Sequence, residues 1–344
     1  MKMRSTHRNA SRRAAVCANK STAGFTLVEL MVSMLLGLVV IAGVGSVFLS
    51  NQQVYRTNKA LGDVQDSSRI AFEMMARDIR SAGLTGCDTT SGRMANVLKN
   101  GPNNGGTTWW ANWNNTIVGF ASSQTDTAVQ AAGATRVANT DSLMLLGLEG
   151  SGVSVKTDSE PAGSFTINET TSDLQTGDVV VVCDPDHGAV VQLSNVAAGT
   201  LTHATSGTPG NCTTDLSYPT VCSSGSSYAF APNAQIAKLT AADWYVGQNA
   251  VGGSSLYRIA LTNTAAALTT PSSEMVRNVT AMNITYHQTG NASFVTADLV
   301  ANWAAVDAVQ VRLVMTSTDQ RAGTNIKPIS RTFTSTTTVR NRVR

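Results

Sequence analysis

The chain has 344 residues, enough for one large or two ordinary domains, and its 42% hydrophobic content is that of a protein that folds. Charged residues make up only 14%, and the formal charge of +3 is concentrated in the first 24 residues, where Lys2, Arg4, Arg8, Arg12, Arg13 and Lys20 meet no acid. Without that segment 19 basic residues face 22 acidic ones, a balance near −3, so bulk charge gives no ground for nucleic-acid binding.

From Phe25 to Leu49 the sequence FTLVELMVSMLLGLVVIAGVGSVFL carries one ionisable side chain, Glu29. An apolar helix needs about 20 residues to cross the hydrocarbon layer, and this stretch is long enough. A secretory signal has an apolar region of roughly 7 to 15 residues followed by a small-residue cleavage site. Here the run is longer and is followed by Ser50-Asn51-Gln52-Gln53. Basic residues flank both ends of the span, so charge barely discriminates its orientation, whereas paired cysteines place the C-terminal part outside the cytoplasm. An isolated carboxylate in an apolar span is costly and marks a function whose counter-charge must be found. No Lys or Arg lies within the span. A cut between Gly24 and Phe25 would create an α-amino group one helical turn before Glu29, on the same face.

The segment Gly24-Phe25-Thr26-Leu27-Val28-Glu29-Leu30 resembles the prepilin motif of type IV pilins and type II secretion pseudopilins. The resemblance implies that a prepilin peptidase cleaves after Gly24 and methylates the Phe25 amine. It also implies that Glu29 meets the amine of a neighbouring subunit during filament assembly. Major pilins usually carry a proline midway through this helix; here Gly37, Gly43 and Gly45 stand in a proline-free span, which departs from the major-pilin pattern.

Beyond Leu49 the pattern turns amphipathic, with Val54, Leu61, Val64, Ser68, Phe72, Met75 and Ile79 at helical spacing between charges of both signs. Helix is predicted to about Ser81, with Gly83 and Gly86 as the stop. From Phe25 such a helix would reach about 85 Å.

Strands are predicted at 116–120, 142–148, 178–183, 189–193, 243–246, 255–261, 275–287, 307–316 and 331–340, from β-branched runs separated by Gly, Ser, Asn and Asp. Alternation in Gln310-Val311-Arg312-Leu313-Val314 fits a sheet with one wet face. Cys17 lies in the basic segment, leaving Cys87, Cys183, Cys212 and Cys222. Four cysteines allow three connectivities. The short Thr- and Ser-rich loop favours Cys212 with Cys222, which leaves Cys87 for Cys183.

Enzyme signatures are missing. His7, His187, His203 and His287 are scattered without zinc-site spacing, and no nucleophile elbow, P-loop or dinucleotide fingerprint occurs. Cys183-Asp184-Pro185-Asp186-His187 gathers two carboxylates and a His, but calcium takes six or more oxygens, so a polar β-turn is the expected reading. Trp109, Trp110 and Trp113 sit in a Gly- and Asn-rich stretch, where they are expected to pack; exposed, they would mark a partner surface.

Further segments, among them Arg69 to Cys87, Gly177 to Asp184, Leu256-Tyr257-Arg258, Met275 to Val279 and the ending from Trp303 to Arg342, are similar to PilW-type minor pilins. The expected fold is α+β: a long N-terminal transmembrane and stalk helix packed on a large, mainly antiparallel β-sheet head. The expected division is a cleaved leader over 1–24, a membrane and filament-core helix over 25–50, an amphipathic helix over 51–82 and a β-rich head over 83–344. The resemblance implies a non-enzymatic minor pilin without metal or cofactor. It would act with the prepilin peptidase and with other minor and major pilins, first in the inner membrane with a periplasmic head and then in the pilus at the cell surface. A type II secretion pseudopilin and a membrane-tethered adhesin are the competing readings.

Overall fold

A computed structural model describes residues 24–83, 93–223 and 227–340. It is an α+β protein. Helix α1 (Leu27–Ser81) is followed by β1 (Met94–Asn96), β2 (Ile117–Phe120), the short α2 (Thr127–Ala131), β3 (Ser142–Ser159) and β4 (Ser164–Ile167). Next come β5 (Val179–Cys183), β6 (Gly188–Gln192), β7 (Asn195–Ala197), β8 (Thr200–Thr202) and β9 (Gln235–Gln248). The chain continues through β10 (Ser254–Ala260), β11 (Thr262–Thr264), β12 (Ala267–Thr269), β13 (Ser272–Arg277), β14 (Val279–Gln288), β15 (Val295–Thr296), β16 (Val306–Thr316) and β17 (Ser330–Thr338). Residues up to Tyr55 and residues from Arg56 onward form two separate units.

In the first unit every described residue except Gln53 is exposed. The uniform apolar composition that builds this stretch of helix leaves it without cover from its own chain, as expected of a segment whose solvent is lipid or other helices.

Within the second unit the amphipathic pattern does its work. Ala60, Val64, Ser68, Ala71, Met75 and Ile79 are buried at spacings of three or four residues, with Ala76 beside Met75. Val64, Ala71, Met75 and Ile79 share one core with Leu143 and Leu145 of β3, Trp244 and Val246 of β9, and Ile284 and Tyr286 of β14. A polar clamp fixes the register of helix on sheet. Asp78 accepts a hydrogen bond from Trp244 Nε1 at 2.9 Å and from Arg258 Nε at 2.8 Å, and Arg258 also lies over the Trp244 ring. The helix ends at Gly83, whose φ of +69° turns the chain so that its N–H donates to Leu146 O.

Eleven strands form one sheet with the path β1-β6-β5-β9-β3-β4-β8-β7, to which β2, β10 and β13 add at the sides. All its pairings are antiparallel except β1 with β6. A second sheet, β15-β14-β16-β17, is antiparallel throughout. Both faces of the central strands are covered, which explains their unbroken apolar runs. Leu143 and Leu145 face the helix side, while Met144 and Leu146 face a core with Trp109, Trp110 and Trp113. Val180 and Val182 join a third core with Phe165, Leu201 and Phe230.

Three predicted strands differ from what forms. The run predicted over 275–287 is two strands in two sheets, because Asn278 adopts φ +62° and redirects the chain between β13 and β14. The strands predicted over 142–148 and 243–246 are parts of longer elements. β3 continues to Ser159 through an irregular register between Gly150 and Val153, and β9 begins at Gln235.

Candidate functional site

Gly24 and Phe25 lie outside the helix and are exposed. Thr26 supplies the N-cap: its Oγ1 accepts the Glu29 N–H at 3.3 Å and its carbonyl accepts the Leu30 N–H at 3.1 Å. Thr26-x-x-Glu29 is the capping-box pattern, so the residue that begins the helix and the acid that carries the charge are specified together. Thr26 was missed by the sequence reading, although the spacing that reveals it was in plain view. Glu29 stands in the first turn, where the positive end of the helix favours a carboxylate. No other charged side chain occurs between Phe25 and Tyr55. An added Cβ at Gly24, Gly37, Gly43 or Gly45 would meet nothing within 4 Å, so these glycines are not required by packing within this chain.

A disulfide joins Cys212 and Cys222 with Cα atoms 5.2 Å apart. Cys183 is also disulfide-bonded. Cys87 and the leader residues before Gly24 lie outside the described residues. Cys183-Asp184-Pro185-Asp186-His187 forms the β5–β6 turn, closed by Asp184, whose Oδ1 accepts the N–H groups of Asp186 and His187 at 3.0 and 2.8 Å. Its Oδ2 accepts the Tyr228 hydroxyl at 2.8 Å, and the buried His187 is held by Leu216 O. Burial, then this hydrogen bond to Asp184, pushes the Tyr228 phenol well above its ordinary range. Trp109, Trp110 and Trp113 are buried core residues, not an exposed aromatic surface.

Comparison with protein families matches the two ends of this architecture. Residues 19–45 match the prokaryotic N-terminal methylation motif, and residues 243–343 match type IV pilus-assembly protein W. Together the two matches support a likeness to PilW-type minor pilins of type IV pili. The first match covers Gly24, Phe25 and Glu29 together with the start of the exposed helix. The second begins at Asp243 in β9 and runs over β10, β13 and the whole four-stranded sheet, the part of the head that shares its core with the second half of α1. No curated protein matches the chain. Both matched families are pilus structural or assembly proteins, not enzymes.

Proposed function

We propose that this minor pilin is cut between Gly24 and Phe25 by the prepilin peptidase, is N-methylated on Phe25, and helps other minor pilins to start the pilus onto which major pilins are added. Its pilus would support motility, adhesion or DNA uptake. The observation that carries the reading is the contiguous Gly24 to Leu30 motif set on a capped helix start, with its scissile bond exposed and just outside the hydrogen-bonded turn. Before processing, the apolar stretch holds the precursor in the inner membrane with the disulfide-bonded head in the periplasm. Cleavage frees the Phe25 amine, and the helix passes sideways into a bundle of like helices at the filament core. There Glu29 loses water, and an unpaired carboxylate in such surroundings costs about 2.5–3.5 kcal/mol or more. The amine of a neighbouring subunit supplies the cation.

The match to pilus-assembly protein W favours this reading over a secretion pseudopilin or a simple tethered adhesin. Comparing Glu29→Ala with wild type in sheared pilus preparations tests it. The variant is expected to be cleaved normally yet to be lost from filaments; incorporation at the wild-type level would contradict the role given to Glu29.

A further inference from the structure

Within the second unit, three chemistry-bearing side chains converge where β3, β4 and β8 end. Asp158 is the penultimate residue of β3, Glu160 follows that strand, and His203 follows β8. The short β4 lies between them, with Phe165 opposite Asp158 on one side and opposite Leu201 on the other. The His203 N–H donates to Gly163 O at 2.8 Å, which ties the strand ends together. Gly163 itself has φ +69°, and a Cβ there would come within 2.8 Å of the Thr214 methyl, so the turn that presents Glu160 depends on glycine.

The cluster is dry. The His203 side chain is 0% exposed and that of Glu160 2%. Phe165 stacks on the imidazole at 4.6 Å between ring centroids, and Phe230 meets Phe165 edge-on. Such a setting should leave no polar atom idle, because each unmet group loses its water for nothing. Yet among the described residues both carboxylate oxygens of Glu160, both ring nitrogens of His203 and Oδ1 of Asp158 are buried without a hydrogen bond. His203 Nε2 lies 3.1 Å from Glu160 Oε1, the distance of an ion pair but without hydrogen-bond alignment. Asp158 has its other oxygen occupied, since Oδ2 accepts the Phe230 N–H at 2.8 Å, which leaves Oδ1 as its free donor atom.

We propose that Asp158, Glu160 and His203 form a binding site for a zinc-class divalent cation that pins the β3–β4 turn to the end of β8. One donor atom from each residue lies within 4.8 Å of the others. Donors on a tetrahedral zinc with bonds of about 2.0–2.2 Å stand roughly 3.3–3.5 Å apart, so the Nε2 to Oε1 edge of 3.1 Å is already close, and binding has to draw Asp158 in to the same spacing. The donor set selects the metal: calcium and magnesium take oxygen ligands throughout, whereas an imidazole nitrogen with carboxylates suits zinc and its first-row neighbours. Two carboxylates balance the charge of one divalent ion. The fourth position remains for a water molecule.

The test uses the full-length chain in detergent, stripped with chelator and dialysed against micromolar Zn²⁺, with bound metal counted by mass spectrometry and the unfolding midpoint read with and without zinc. One zinc per chain and a midpoint raised by several degrees are expected. Glu160→Gln and Asp158→Asn should each weaken retention by about tenfold or more and abolish most of the midpoint shift. Asp158 is partly exposed and has one oxygen already satisfied, so its variant keeps the fold even if Glu160→Gln does not. Cobalt(II) should give a visible absorption band that both folded variants lose. Failure of the wild type to retain zinc, or retention unchanged in Asp158→Asn, would overturn the proposal.

Discussion

Between Leu27 and Tyr55 the long helix exposes every residue but Gln53, while between Arg56 and Ser81 the same helix buries seven residues at regular spacing. Backbone geometry is shared by the two stretches; composition is not. The first has apolar side chains on all sides and finds no cover in its own chain. The second confines them to one stripe, and β3, β9, β14 and β16 cover it. A helix thus records in its side-chain pattern whether its solvent is to be found inside or outside the molecule.

The same contrast holds for acids. Glu29 sits alone on the exposed apolar stretch, whereas Asp243 is fully buried in the head beside the Asp126 carboxylate. Burial, reinforced by the nearby Asp126 carboxylate, pushes the Asp243 carboxyl well above the usual range, so it answers desolvation by keeping its proton. For Glu29 we propose a different answer, a cation made by proteolysis.

The largest effect is expected at Gly24, where a bulky replacement such as Gly24→Val should leave all material as unprocessed precursor on an immunoblot. Because a Cβ there touches nothing, the head should melt as in the wild type. Appreciable cleavage of the variant would break the assignment of the scissile bond.

Next, a matched pair of methionines separates the two helical regions. Met75 is 1% exposed and Met34 67%. Met75→Ala should cost about 2–5 kcal/mol of head stability, whereas Met34→Ala should change it by less than about 0.5 kcal/mol. Denaturant unfolding in detergent compares them, and equal losses would dissolve the distinction.

The clamp on the second region comes third. Asp78→Ala leaves Arg258 and the Trp244 N–H without their shared acceptor and should cost about 2 kcal/mol, since both charged groups are only partly buried.

Smallest is the effect of pH. Above about pH 4 an unfolded Asp releases its proton, while Asp243 retains its own in the folded state up to its raised pKa. The folded state therefore binds one more proton, and this residue's contribution to stability falls as pH rises, by about 1.4 kcal/mol per unit. Asp243→Asn should flatten the profile between pH 5 and 6; an unchanged slope would show that Asp243 does not titrate as its burial requires.

Much of this architecture can be read from residues alone. Val179 to Cys183 and Leu143 to Leu146 are unbroken apolar runs because both faces of their strands are buried, and the stripe from Val64 to Ile79 marks the packed helix. The lobe built from the outer half of β3 with β4, β7 and β8 is far less legible. Gly150-Ser151-Gly152 carries turn residues, yet the chain passes through it as an irregularity and remains one strand. Strands of three or four residues, such as Ser164–Ile167 and Thr200–Thr202, are too short for alternation to show. The Asp158, Glu160 and His203 cluster lies wholly in that lobe. Its members come together through pairing across β4 and follow no spacing that a motif could capture. At the other end, Thr26 and Glu29 are three positions apart in sequence and one turn apart in space, so their proximity follows from spacing alone.

The account rests most heavily on the origin of the charge opposite Glu29. Intact-mass and fragment analysis of the protein recovered from cells reads the mature N-terminus directly. A chain beginning with N-methylated Phe25 is predicted; a chain that retains the basic leader, or is cut at another bond, would contradict it.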